Sequence, residues 1–260
     1  MGVWERRKSV FDVSEAVCRG VFDTLFHVEF HGVENVPREG PVLLFPKHQA
    51  YRDIIYEGIL LRTHAGRHAY WIMADYLPDL LGMYGAVKIK RPKDLDLEGL
   101  KEEMNDARKR AKAYEAEGDT EAAEKDRAEI ARIKKIFKDA STEGRESIQK
   151  LREKLVEFYN DGEVVVVHPE GTRKGAWANM LPFLDTAVKL TLEIEDEFGI
   201  KVPVVPVGIE YRSPFGSRSE RPSLYLPGAK AFVRAGKPHD VREKGLIDIL
   251  YNEVKRLSNL

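Results

Sequence analysis

Seven short runs of β-branched, aromatic and other apolar residues punctuate the chain, at His27–Phe30, Val42–Phe45, Ala69–Ala74, Ala86–Lys90, Glu163–His168, Val202–Ile209 and Ala231–Arg234. Each is strand-sized, and most are separated by stretches whose apolar residues recur every three or four positions. Strands alternating with helices pack as a sheet covered by those helices. The expected class is therefore α/β, with a mixed, largely parallel central sheet of about seven strands flanked by helices. At 260 residues, 43% of them hydrophobic, the chain can bury one large core, so residues 1–260 are read as a single domain carrying an insertion. A closing helix is predicted over Val241–Leu257, where Leu246, Ile249, Leu250, Val254 and Leu257 fall on one side.

Two segments stand apart from the sheet pattern. In residues 1–26, Val10, Phe11, Val13, Val17, Val21, Phe22 and Leu25 describe an amphipathic helix. Either it packs on the domain, or it anchors at a membrane interface with Trp4 and Phe11 flanking Arg6, Arg7 and Lys8. Residues 101–140 carry 11 acidic and 11 basic side chains, balanced in sign. Leu97, Leu100, Met104, Ala107, Ala111 and Tyr114 form a heptad-like seam, and Gly118-Asp119-Thr120 supplies a helix stop followed by an N-cap. Ala123, Ile130, Ile133 and Phe137 continue the seam, broken at Asp126. An antiparallel charged helical hairpin inserted over 94–145 is predicted, as a solvated clamp or a partner-binding arm. Ile148, Leu151, Leu155 and Phe158 then mark a further amphipathic stretch leading into the next strand.

Charge and cysteine usage narrow the function. Forty-two Lys and Arg against 43 Asp and Glu leave a net charge of −1, with no basic field for nucleic acid. The single cysteine, Cys18, excludes an internal disulfide framework and fits a reducing compartment. His64 and His68 share a helical face but lack an intervening Glu and a third ligand, so no metal site is expected. The apolar runs are far shorter than a bilayer span, and the opening Met1–Lys8, followed by Asp12 and Glu15, does not read as a signal peptide.

Two constellations carry chemistry. His48 and Asp53 follow an apolar strand in Phe45-Pro46-Lys47-His48-Gln49-Ala50-Tyr51-Arg52-Asp53. A carboxylate bonded to one imidazole nitrogen fixes the tautomer and leaves the other nitrogen to act as a general base. A continuous helix would turn positions five apart away from each other, so the pairing requires His48 in a loop and Asp53 in the first turn of the next helix. By itself this spacing also describes a loop histidine. The second constellation, His168-Pro169-Glu170-Gly171-Thr172-Arg173, closes another buried-strand run. Glycine there lets backbone N–H groups approach a ligand, Thr172 offers a hydroxyl, and Arg173 offers a forked donor for phosphate. Pro-Glu-Gly-Thr-Arg arises by chance in about one chain in ten thousand of this size.

Together these motifs resemble the glycerolipid acyltransferase family, most closely the 1-acylglycerol-3-phosphate O-acyltransferases (PlsC-like). The family's first block is His, four residues, Asp (the HX4D motif); its third is Phe-Pro-Glu-Gly-Thr-Arg. Its second block, a Gly before an apolar strand ending in Arg, is matched by Gly85-Ala86-Val87-Lys88-Ile89-Lys90-Arg91, and its fourth by Val202-Pro203-Val204-Val205-Pro206-Val207. The lead-in His31–Pro37 is similar too, and the resemblance covers about 27–93 and 146–238, with the hairpin between. Three positions depart from the pattern: Lys47 for Asn, Asp75 for a lysine, and His168 for Phe. Asp75 implies a weaker phosphate pocket or another head group, and Lys88 and Lys90 either compensate for it or are solvated. His168 is read as a strand-end histidine satisfied by backbone rather than as a second base.

The resemblance implies transfer of a fatty acyl group from acyl-CoA or acyl-carrier protein to the hydroxyl of a lysophospholipid, with 1-acylglycerol-3-phosphate giving phosphatidate. His48 is the implied base and Asp53 its partner. Arg91 and Arg173 would hold the acceptor phosphate, with Glu170, Gly171, Thr172 and Pro206 completing the substrate site. No cofactor is implied beyond the thioester co-substrate, and Cys18 is too remote from every motif to be a nucleophile. A lipid acceptor implies a membrane surface as partner, hence a cytoplasmic protein held peripherally at the inner face of the cell membrane. The first helix and the loop Tyr211–Arg218, with Phe215, are the docking candidates. Two other classes remain open from the residues: an acyl thioesterase in which His48 activates water, and a non-catalytic membrane scaffold that works through the hairpin.

Overall fold

The computed structural model describes residues 27–50, 52–77, 85–90, 97–172, 180–217 and 228–260. The expected helix of residues 1–26 lies outside them. At the centre of the sheet, β2 (Val42–Pro46) and β5 (Val164–Val166) are buried at every position. That is why their sequences are continuous apolar runs rather than alternating ones. Around them lie β1 (His27–His31), β3 (Ala69–Ala74), β4 (Ala86–Ile89), β6 (Val204–Arg212) and β7 (Lys230–Ala235). The order is β1-β7-β6-β2-β5-β3-β4. β2 runs parallel to β5 and β6, β3 parallel to β5, and β1 parallel to β7; β6 and β7 are antiparallel. The expected mixed, largely parallel sheet of seven strands is thus the one found. Its end strands among the described residues, β1 and β4, are only partly buried, with Glu29 and Lys88 on them, as suits sheet edges.

The described chain falls into two compact units, one of residues up to Lys88 with Arg152–Leu260, the other Ile89–Leu151. In the first, α1 (Asp53–Ile59) continues into a wider π turn over Leu60–Ala65 and ends at Gly66, whose φ is 71°. Helix α4 (Thr186–Phe198) was not singled out in the sequence. Helix α5 (Leu246–Leu257) begins five residues later than the expected Val241, because Gly245, at φ 73°, breaks the turn before it. Helix α5 ends hard against β6: a Cβ on Gly208 would lie 2.4 Å from the Leu257 carbonyl carbon, so only glycine admits this approach.

In the second unit, α2 (Leu97–Glu117) and the first part of α3 (Thr120–Asn160) are antiparallel neighbours. Gly118, at φ 78°, stops α2, and Asp119 Oδ1 accepts the Ala122 N–H at 3.0 Å as the N-cap of α3. The seam breaks at Asp126 for a reason now visible: its carboxylate takes a forked bond from Arg110, at 2.8 and 3.1 Å. Arg127 to Glu115 (2.6 Å) adds a second cross-pair, while Ala107, Ala111, Ala123 and Ile133 are buried. Lys90, a candidate phosphate ligand or solvated lysine, pairs with Glu143 at 3.2 Å in an exposed ion pair. The amphipathic stretch after the hairpin is no separate element; α3 runs on unbroken to Asn160. In the first unit its end buries Leu155 and stacks Phe158 on Tyr70, ring centroids 3.7 Å apart.

Candidate active site

The site is built where two central parallel strands end together. Leu44 of β2 pairs with Val166 of β5, so the loops that leave their carboxyl ends start side by side. Ligand sites of open α/β sheets form at this edge. The β2 loop is fixed at three points: Lys47 N–H donates to Val207 O (2.9 Å), Gln49 Nε2 to Ile209 O (2.6 Å), and His48 N–H to Glu170 Oε1 (3.2 Å).

Within this frame His48 stands in the loop and Asp53 opens α1, the arrangement their pairing requires. His48 Nδ1 lies 3.2 Å from Asp53 Oδ2. That oxygen also accepts the N–H groups of Gln49 (2.5 Å) and Ala50 (2.7 Å), while Oδ1 accepts the Tyr211 hydroxyl. Asp53 is fully buried; His48 keeps 8% of its surface exposed. Burial would raise the Asp53 pKa, but the bonds from His48, Tyr211 and Ala50 outweigh it and hold the carboxyl below its ordinary value. For His48, burial first and then the charge of His168 lower the pKa to about 4, against the pull of Asp53 and Glu57. The ring is therefore neutral at physiological pH, with Nδ1–H directed to the carboxylate.

One helical turn beyond Asp53, Glu57 repeats the pattern. Its Oε1 lies 2.9 Å from His168 Nε2, and its Oε2 accepts Trp71 Nε1–H at 2.8 Å. The His48 and His168 rings stack, centroids 3.8 Å apart and planes 20° from parallel. The expectation of a backbone-satisfied His168 is corrected here: a buried carboxylate holds its Nε2. Burial would lower the His168 pKa, but Glu57, aided by Asp53 and Glu170, raises it overall.

Glu170 is 4% exposed and ties the two loops together. Oε1 takes His48 N–H and faces Lys47 Nζ at 3.7 Å; Oε2 takes Leu181 N–H at 2.9 Å. Burial raises its pKa while Lys47 opposes the shift. Lys47, where the family pattern has Asn, is thus a wholly buried cation serving this carboxylate. Gly171 turns the loop at φ 62°, its N–H donating to His168 O (2.9 Å), and Thr172 is exposed beside it. Pro206 lies in β6 opposite Phe45, one strand from the His48 loop. Arg91 and Arg173 fall outside the described residues. Asp75 lies in the turn after β3, and His64 and His68 go separate ways, one against the Phe30 ring and the other bonded to Arg62.

Glu57, His168 and Tyr211 were therefore missed as members of the site. Glu57 carried a local signal, an acid four residues after Asp53 on the same helical face. Tyr211, 158 residues away, carried none. Among the described residues no group of three or more His, Cys, Asp or Glu is placed to hold a metal ion, and no helix is long and apolar enough to cross a membrane. What the arrangement can do is accept a proton at His48 Nε2 with the resulting imidazolium held by Asp53.

Residues 27–210 match the Acyltransferase family, so the chain belongs to that family. Among solved structures it is similar to the 1-acyl-sn-glycerophosphate (LPA) acyltransferase PlsC of Thermotoga maritima, with a TM-score of 0.52 and 20% identity over 96% of this chain and 78% of that one. The fold is thus that of a PlsC acyltransferase. No curated protein matches the chain.

Proposed function

We propose that the protein is a glycerolipid O-acyltransferase that moves a fatty acyl group from acyl-CoA or acyl-carrier protein to the free hydroxyl of a lysophospholipid, converting 1-acylglycerol-3-phosphate to phosphatidate. The observation that carries this reading is the His48 ring, held by a buried carboxylate at 3.2 Å in the loop that leaves the carboxyl end of β2. The hydroxyl oxygen attacks the thioester carbonyl as its proton passes to His48 Nε2. The tetrahedral intermediate then expels the thiolate, and the C–S bond breaks. His48 returns the proton to the sulfur, leaving a new ester and a free thiol. No covalent enzyme intermediate and no cofactor is needed. Glu170 acts by orienting the His48 loop, since both its oxygens accept backbone N–H groups. Arg91 and Arg173 are the proposed phosphate ligands, with Gly171, Thr172 and Pro206 around the acceptor.

The acceptor is a lipid, so we place the enzyme peripherally on the inner face of the cell membrane. Phe215, 94% exposed, and Tyr76, 68% exposed, support that placement. They follow β6 and β3, strands that run in the direction of β2, and so emerge at the edge where His48 lies. The decisive experiment is product analysis with labelled acyl-CoA and acyl-carrier protein against a panel of lysophospholipids and glycerol phosphate. His48→Ala should lower turnover at least about a hundredfold with the fold intact. Near wild-type transfer by that variant would remove the base, and free fatty acid as the sole product would make the enzyme a thioesterase.

A further inference from the structure

We infer that Glu57 and His168 form a positioning pair for the base: Glu57 keeps a cationic imidazole stacked on the His48 ring, and that charge adds to burial in disfavouring a proton on His48 before the substrate hydroxyl supplies one. The inference rests on the reading of His48 as the base. Its ground is geometric. The two rings lie 3.8 Å apart and nearly parallel, and the His168 ring is bonded at 2.9 Å to a carboxylate with no exposed surface. An aromatic hydrocarbon at position 168 would give the same stack without the charge, so the histidine adds electrostatics rather than packing. The helix sets both pairs at once: Asp53 and Glu57 are four residues apart on one face, each holding one of the stacked rings.

The other charged groups around His48 leave this role to His168. On its own loop Lys47 faces Glu170, 3.7 Å away. From α1, Asp53 and Glu57 both favour a protonated His48, and from β6 the Tyr211 hydroxyl donates to Asp53. The Arg52 guanidinium sits over the Tyr211 ring at 4.2 Å. Among the described side chains, His168 is the charge that opposes protonation of His48, and it comes next after burial. Two like charges on stacked rings are unfavourable, so a proton on His168 disfavours one on His48.

The test is His168→Phe, which keeps an aromatic stack and removes the charge. Histidine ring signals of isotopically labelled protein, with His48 assigned through His48→Ala, are followed against pH beside the acidic limb of kcat/KM. In His168→Phe the His48 ring should titrate at least about one pH unit higher than in the wild type, and the acidic limb should move with it. The variant leaves the Glu57 carboxylate with less support, so Glu57→Gln/His168→Phe is measured in parallel. The double variant should also shift upward, by less, because His168 outweighs Glu57 at His48. A His48 titration that is unchanged or lowered in both variants overturns the inference. A ring titration that moves while the kcat/KM limb stays put upholds the charge arrangement and places the failure in the reading of His48 as the base.

Discussion

Asp53→Asn isolates the carboxylate from the shape it fills. Asparagine is isosteric, and its amide oxygen can occupy the Oδ2 position, where His48 Nδ1–H and the N–H groups of Gln49 and Ala50 converge. The amide NH2 then meets the Tyr211 hydroxyl, which can turn and accept instead of donating. The loop should keep its course. What is lost is negative charge beside an imidazolium that exists only after proton transfer. Two charges about 4 Å apart interact by on the order of 4 kcal/mol at an effective dielectric near 20. At about 1.4 kcal/mol per tenfold, kcat should fall about a thousandfold. KM should change little, since Asp53 touches neighbouring protein groups on both oxygens rather than substrate. Four bonds to a carboxylate become bonds to an amide, while the burial of a charge is relieved; the net loss of stability should be about 1–3 kcal/mol. The Asp53 pKa is depressed in the folded protein, so its contribution is present above the ordinary aspartate pKa and disappears as pH falls through the folded value. Urea titrations of wild type and variant should therefore differ at neutral pH and converge in acid. Single-turnover acyl transfer by purified, natively folded Asp53→Asn measures the catalytic part. A loss of less than about tenfold would mean that the carboxylate does not stabilise a cationic His48.

Three further outcomes follow from the same site. Arg173→Ala should raise the KM for a phosphate-bearing acceptor more than that for the thioester; equal effects on both would make the arginine structural. Tyr211→Phe removes one donor from a buried carboxylate and should cost about 1.5–3 kcal/mol in urea unfolding, with the ring and its contact to Arg52 retained. Unchanged stability would show that the hydroxyl contributes nothing. Phe215→Ser should weaken co-sedimentation with anionic lipid vesicles about tenfold while leaving transfer to a short-chain, soluble acceptor unchanged, and undiminished vesicle binding would clear this loop of a docking role.

What could be read from the sequence and what could not divides along chain separation. β2 and β5 are legible because both their faces are covered and every position is apolar. β6 runs to Arg212, past the expected Ile209, because Glu210 is buried in the sheet with Arg212 and Arg234 bonded to its two oxygens. A charged residue at the end of an apolar run reads as a loop until its partner strand is known. His48 and Asp53 are five residues apart and readable from a turn and a helix start. The Glu57–His168 pair spans 111 residues, and only the in-register meeting of β2 and β5 brings it together. Lys47 and His168 registered in the sequence as departures from a family pattern; their meaning lies in Glu170 and Glu57, which face them.

The charges of the site explain why such a cluster can be buried at all. Asp53, Glu57 and Glu170 supply three carboxylates; Lys47, Arg52 and, on the inference above, His168 supply three cations, all with little exposed surface. With a neutral His48 the cluster is balanced: Lys47 faces Glu170, His168 is bonded to Glu57, Asp53 accepts four hydrogen bonds, and Arg52 lies over the Tyr211 ring, which lowers the desolvation cost. Adding a proton to His48 from solvent would leave one unbalanced positive charge in a place water hardly reaches. In the proposed transfer the proton comes instead from a bound hydroxyl, and the attack that releases it also places negative charge on the thioester oxygen. The imidazolium and the oxyanion then appear together and compensate each other. On that reading, the same balance that makes His48 a poor base toward water-borne protons would tie its protonation to the tetrahedral intermediate, where the charge contributes to lowering the barrier.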